Sequence, residues 1–206
     1  MRIYLAGPDV FLPDPLARGA ALKAICARHG VEGVFPMDPL AAEPPEWARL
    51  PEFQRIALRN EAHIRAADAL IANLTPFRGP SADVGTVFEL GFMRALGRPV
   101  FGWSNTTLDF LSRTRAHLGR LAAQAPDGTW RDGEAMALER FGCLDNLMVD
   151  GAVFASGGSL EVDEVPAAAR WTELAAFERC VAKAAVLWLE GRGRDIQGGH
   201  RTERPT

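Results

Sequence analysis

The amino-acid sequence predicts an α/β protein with a central, mostly parallel five-stranded sheet covered by helices on both faces, a three-layer, Rossmann-like architecture. Three observations predict it. Apolar runs of strand length alternate with stretches of helical period. Each run ends in a turn or loop signal. The 206 residues, 48% hydrophobic and 24% charged, suffice for one compact core.

The elements follow in order. Residues 2–6 form an apolar first strand stopped by Gly7-Pro8. Residues 14–29 carry helical spacing through Leu16, Ala20, Leu22, Ile25 and Cys26, and residues 31–35 make a short second strand closed by the turn Pro36-Met37-Asp38-Pro39. A Pro-rich loop over 41–50 precedes a helix over 52–67, paced by Phe53, Ile56, Ala57 and Ile64. The run DALIANL, residues 68–74, is the third strand, with Asp68 a structural residue at its start. After the loop TPFRGPSAD comes a helix over 84–96, ended by Gly97, whose apolar face is expected to run through Val84, Val87, Phe88, Gly91, Phe92 and Ala95. Residues 98–103 are the fourth strand, 105–140 mix helix and loop, and 143–154 hold a fifth strand or an irregular crossing segment. A long helix over 167–190 completes a single domain spanning 1–190, and the polar, Gly-rich stretch 191–206 reads as a mobile tail.

Composition narrows the function. A net charge of −3 supplies no basic footprint for a polynucleotide, so no nucleic-acid partner is expected. Cys26, Cys143 and Cys180 are widely spaced and odd in number, which fits reduced thiols rather than a disulfide framework. The four histidines form no ligand pair, and no metal or cofactor is expected. No apolar run reaches membrane-spanning length, and the N-terminal run is too short for a signal peptide, so a cytoplasmic location without a membrane partner is the expectation. Gly7-Pro8 lacks the rest of a dinucleotide fingerprint.

Parallel sheets bind ligands beyond the carboxyl ends of their strands. The loops to watch are therefore residues 7–11, 36–40 and 75–83 and the segment after Trp103. Within residues 80–100 (PSADVGTVFELGFMRALGRPV), Glu89 has Gly85, Thr86, Phe92 and Met93 at helical-neighbour positions. A surface Glu commonly has a cation there. A carboxylate without one suits a ligand cavity, although the local pattern alone fits a solvated helix residue better. Asp83 has an equally strong structural reading as a helix N-cap. Tyr4, the one tyrosine in the chain, fits core packing as well as it fits function.

The combination of IYLAGP at the start, RN-x4-I-x3-DALIANLTPFRG, D-x-GT-x-FELG-x4-LG-x-PV and a downstream NLM resembles the nucleoside 2-deoxyribosyltransferase family over residues 2 to about 150. The D-x-GT-x-FELG block is its most specific part. The resemblance implies a flavodoxin-like fold and a glycosyltransferase (pentosyltransferase) of nucleotide salvage that moves 2-deoxyribose from a 2′-deoxynucleoside to a free nucleobase without a cofactor. Glu89 matches the nucleophile, and Tyr4 the tyrosine whose hydroxyl holds it. Asp83 matches the carboxylate that binds the sugar 5′-hydroxyl. Asn146 and Met148 match an Asn-x-Met pair lent by a neighbouring subunit, which implies a homo-oligomer, a dimer or a hexamer. Gly7, Phe11, Asp38 and Asn60 fall on the substrate side. Two positions depart from the pattern. Asn60 stands where much of the family has an Asp that contacts the departing base, with Glu61 next to it, and Leu40 stands where some members have Gln. Asn cannot supply a proton as a carboxylic acid can, so that role passes to Glu61, Asp38 or water.

Other functions compete. Hydrolysis, with water as acceptor, uses the same residues. The resemblance also extends to related hydrolases of deoxynucleoside 5′-monophosphates, which tend to carry Ser where Asp83 and Asn146 stand here; a carboxylate repels a phosphate, so Asp83 favours nucleosides. A non-catalytic nucleotide-binding module shares the fold, but has no use for an unpaired carboxylate beneath the sugar.

Overall fold

The computed structural model describes the backbone of residues 1–198 and the side chains of residues 1–190. The sheet contains β1 (Arg2–Ala6), β2 (Glu32–Val34), β3 (Ala69–Asn73) and β4 (Val100–Ser104). A two-stranded hairpin, β5 (Ala123–Gln124) with β6 (Trp130–Arg131), stands apart, and β7 (Leu160–Val162) is the fifth strand of the main sheet. The main-sheet order is β2-β1-β3-β4-β7, all parallel, with Tyr4 opposite both Val34 and Leu70. This is the flavodoxin-like order, whose ligand crevice lies at the switch point between β1 and β3.

Helices α1 (Pro15–Arg28), α2 (Glu52–Ala66), α3 (Val84–Ala95), α4 (Phe110–Leu118), α5 (Leu147–Ala155) and α6 (Ala175–Gly198) complete the chain. Alternation along the strands sorts the core into two layers. Ile3, Leu5, Ile71, Phe101 and Trp103 face α1 and α6, where Leu22, Cys26, Phe177 and Val181 meet them. Tyr4, Ala6, Leu70, Ala72 and Val100 face the other way, onto Ile64 of α2, Leu90 and Met93 of α3, and Val149 and Val153 of α5. Tyr4 thereby points toward the layer that carries Glu89.

The C-terminal third departs from the sequence reading. Residues 143–154 form no strand. Asn146 caps α5 by accepting from the Met148 amide at 3.0 Å, and buried Asp150 accepts from the Leu144 and Asp145 amides at 2.7 and 3.0 Å, which shapes the entry to that helix. The fifth strand comes later. It is short and lies at the sheet edge, where Arg179 and Lys183 of α6 neutralise Glu161. The last helix begins at Ala175, after a 3-10 turn at Ala167–Ala169, and runs to Gly198, into the stretch expected as tail. Residues 199–206 of that expected tail lie outside the described residues.

The expected apolar face of α3 is also displaced. Thr86, Leu90 and Met93 are the residues that bury, whereas Val84 and Phe88 are 83% and 63% exposed. On α2, His63 and Ile64 bury while Phe53 and Ile56 remain exposed. Both helices carry more apolar surface than the sheet covers.

Candidate active site

Two loops at the β1/β3 switch point frame the site. After β1, Gly7 leads into a 3-10 turn at Pro8–Phe11. A Cβ at Gly7 would come within 2.4 Å of Asp9 Oδ2 and 2.8 Å of the Asn73 Cβ, so this close approach requires glycine. Buried Asp9 accepts from Arg18 Nε at 2.7 Å and from Asn73 Nδ2 at 2.9 Å, which ties the turn to α1 and to the end of β3. After β3, the loop reaching Asp83 is pinned from α4. Arg113 donates to the Pro80 carbonyl at 2.7 Å and to Asp145 Oδ2 at 3.0 Å, and Asp145 in turn accepts from the Ala82 amide at 2.8 Å. Sequence reasoning singled out none of these braces. Their partners lie 9 to 64 residues apart, and no local pattern joins them.

Asp83 caps α3. Its Oδ2 accepts from the Thr86 amide and hydroxyl, both at 3.0 Å. Gly85 keeps that carboxylate uncrowded, since a Cβ there would approach Asp83 Oδ2 to 3.1 Å. One and a half turns along, Glu89 lies half-buried between α3, α2 and the sheet. The Tyr4 hydroxyl donates to Glu89 Oε1 at 2.6 Å, and Asn60 Nδ2 donates to the same oxygen at 3.2 Å. Neither hydrogen bond engages Oε2. The opposite amide orientation of Asn60 would set Oδ1 against the carboxylate, so the hydrogen bond fixes the orientation. Asn60 Oδ1 is then buried without a partner.

Burial pushes the Glu89 carboxyl up to about 7; the Asp83 charge adds to the rise, while the hydrogen bonds from Tyr4 and Asn60 oppose it. Burial and the neighbouring Glu89 raise the Tyr4 phenol, which therefore stays a donor. A half-buried carboxyl that ionises near neutrality, held by two neutral donors on one oxygen, can attack an electrophilic carbon through the other.

The other expected site residues make no hydrogen bond with Glu89. Asp38 closes its own turn on the Phe35 amide at 2.9 Å and pairs with Lys23 at 2.6 Å, while its carbonyl meets His63 Nε2 at 2.9 Å. Glu61 faces Arg65 at 3.7 Å. Phe11 stacks on Phe77 with ring centroids 5.4 Å apart. Asn146 donates to Glu139, and Met148 is 71% exposed. Both line an apolar groove of about 970 Å³ between α3 and α5, with Val84, Val87, Leu90 and Gly91 opposite. The structure thus brings Tyr4, Asn60, Asp83 and Glu89 together and leaves Asn146 and Met148 on another face of α3.

The raised Glu89 carboxyl has a testable sign. The folded chain holds this proton more tightly than the unfolded chain does, so the group weakens the fold as pH rises from the usual carboxylate range to about 7. Glu89→Gln should therefore be more stable than wild type at pH 8 and no more stable at pH 4. By carbon-13 NMR of the carboxyl, Tyr4→Phe should raise the titration midpoint and Asp83→Asn should lower it. A midpoint in the ordinary carboxylate range would contradict the burial account.

The chain matches the nucleoside 2-deoxyribosyltransferase family over residues 3–148. An uncharacterized protein of Schizosaccharomyces pombe is 30% identical over 170 residues, covering 78% of this chain and 81% of that protein. A solved 2-desoxiribosyltransferase from Leishmania mexicana is 32% identical with a TM-score of 0.52, covering 75% of this chain and 94% of that one. A conserved protein from Enterococcus faecalis V583 shares the fold at 20% identity and a TM-score of 0.51, covering 89% of this chain and 98% of that one. With the family match spanning most of its length, the chain belongs to the nucleoside 2-deoxyribosyltransferase family.

Proposed function

We propose that this chain transfers 2-deoxyribose between nucleobases through a covalent deoxyribosyl-Glu89 ester. The observation that carries the reading is the Glu89 carboxylate, held at Oε1 by Tyr4 and Asn60 with Oε2 outside both bonds. Displacing a base from C1′ builds positive charge on the sugar, as in glycoside hydrolysis. Oε2 stabilises that charge and then bonds to C1′ as the C1′–N bond breaks and its electron pair leaves with the base. In the second half-reaction a nitrogen of the incoming base attacks C1′, the ester opens, and the carboxylate is regenerated. Two inversions give net retention. Water in place of the second base gives hydrolysis.

Asn60 acts on the nucleophile in this scheme and brings no proton. Asp38 and Glu61 are each engaged with a cation, so the departing base takes its proton from water. Asp83 keeps Oδ1 clear of its two capping bonds and receives the sugar 5′-hydroxyl there. Asn146 and Met148 serve a neighbouring copy's site, seated across the α3–α5 groove. The apolar lining of that groove and the exposed Phe88 and Met148 support a homo-oligomer.

Incubation with deoxyinosine and free adenine, followed by chromatography, tests the reaction. Deoxyadenosine is the expected product. Hypoxanthine without deoxyadenosine would make the chain a hydrolase. Glu89→Ala, still folded, should lose several orders of magnitude in rate, and near-normal turnover would rule out the covalent route.

Asp83 sets a second expectation. A carboxylate accepts from a neutral 5′-hydroxyl but repels a 5′-phosphate, by a few kcal/mol at reduced dielectric, or roughly a hundredfold. kcat/KM should favour deoxyinosine over its 5′-monophosphate in wild type, and Asp83→Ser should narrow or invert the ratio. Preference for the monophosphate in wild type would transfer the reading to a nucleotide hydrolase.

A further inference from the structure

The loops after β1 and β3 also help to line a second cavity, of about 340 Å³, whose walls are Pro8, Phe11, Leu12, Phe77, Arg78 and Trp171. Its walls are aromatic. Phe11 is 56% exposed and stacks on Phe77 with the ring planes 12° apart, and Trp171 meets Phe77 edge-on at 6.1 Å. The Arg78 guanidinium carbon lies 5.1 Å from the Phe11 ring centroid and 4.5 Å from that of Phe77. Arg78 makes no ion pair or hydrogen bond among the described residues. Its backbone is left-handed, with φ 56°, a conformation unusual for a residue with a side chain.

Trp171 reaches this cavity from beyond the part of the chain that matches the family, and a dedicated brace holds it there. Buried Asn105, just after β4, donates through Nδ2 to the carbonyls of Arg170 at 2.7 Å and Glu173 at 3.0 Å, on either side of the tryptophan. Phe77 and Arg78 sit at the tip of a turn closed by the Phe77 amide on the Ser81 carbonyl at 3.0 Å. The cavity therefore has flat apolar walls and, at its edge, the solvent-exposed planar guanidinium of Arg78, which has ring contacts but no hydrogen-bond partner among the described residues.

We propose that this cavity is the nucleobase subsite and that Arg78 selects purines carrying a 6-oxo group. The assignment rests on the deoxyribosyltransferase reading for which ligand arrives, and on the cavity itself for which base is preferred. A base lying on the exposed ring of Phe11 meets the guanidinium edge, which offers parallel N–H donors. Hypoxanthine and guanine present O6 and N7 side by side, two acceptors that match this fork. Adenine sets an amino group beside N7 and opposes one donor with another.

Calorimetric titration with hypoxanthine and with adenine separates this inference from the reaction chemistry, because binding needs no turnover. Wild type should bind hypoxanthine roughly tenfold more tightly than adenine, and so should Glu89→Gln. Arg78→Gln should abolish the difference by weakening hypoxanthine alone. Arg78→Lys, which keeps the charge but not the fork, should fail to restore it. Arg78→Gly relieves the left-handed backbone, so it should melt no lower than wild type and yet lose the preference, a result a merely structural arginine would not give. Equal binding of hypoxanthine by wild type and Arg78→Gln, absence of hypoxanthine binding by wild type, or a response of inorganic phosphate in place of hypoxanthine to Arg78→Gln would each overturn the assignment. If hypoxanthine binding depends on Arg78 and no sugar transfer or cleavage occurs, the subsite stands and the enzymatic reading falls. If transfer occurs and Arg78→Gln binds as wild type does, the reverse holds.

Discussion

Keeping a carboxylate ionisable yet half-buried, with no cation beside it, requires donors drawn from other elements, and the hydrogen bond from Tyr4 to Glu89 is the one on which the arrangement depends. Tyr4 is fully buried in β1, with its register set on both sides by β2 and β3. Its hydroxyl therefore has a fixed position, and α3 must pack so that Glu89 reaches it. Leu90 and Met93 do that packing against the sheet, and Asn60 closes the arrangement from α2. A cation in their place would lower the carboxyl's affinity for its proton and also its basicity. Neutral donors on one oxygen orient the group with less loss of nucleophilicity.

The same constraint explains the buried braces around the loops. Asp9 with Arg18, and Asp145 with Arg113, are ion pairs with little access to water. Replacing such pairs by apolar residues is often neutral or better for stability, whereas removing one partner costs about 3–5 kcal/mol. Their contribution here is position. One pair ties the turn after β1 to the end of β3, and the other fixes the approach to Asp83, so the cap of α3 and the base of the Phe77–Arg78 turn are set before any ligand arrives.

Much of this was legible in the sequence, for identifiable reasons. Strands β1, β3 and β4 are nearly continuous apolar runs because helices cover both faces of the sheet. Strand β7 escaped because it is three residues long and carries Glu161 between its apolar neighbours, while the more apolar 143–154 stretch read as a strand or an irregular crossing segment and holds most of the capped helix α5, Leu147–Ala155. Glu89 could be noticed for lacking a local cation, but its partner lies 85 residues away, and spacing alone cannot connect them. Family resemblance did so. The Arg78 cavity could not be read in that way, since Trp171 approaches it from outside the matched region.

The misplaced face of α3 has a physical cause that bears on assembly. Periodicity finds the buried side of a helix only when one stripe is apolar and the rest polar. Helix α3 is apolar on several sides. Leu90 and Met93 meet the sheet, whereas Val84, Val87 and Gly91 line the groove toward α5. The sheet can cover one stripe, so the excess either stays in water or is covered by another molecule. Leaving it in water sacrifices burial worth roughly 25 cal/mol per Å² and invites aggregation. A second copy seated on the groove would meet the capped N-terminus of α5, where Asn146 and Met148 stand. The residues that looked most core-like in the sequence therefore leave, beside Asn146 and Met148, an apolar surface that the described residues do not cover.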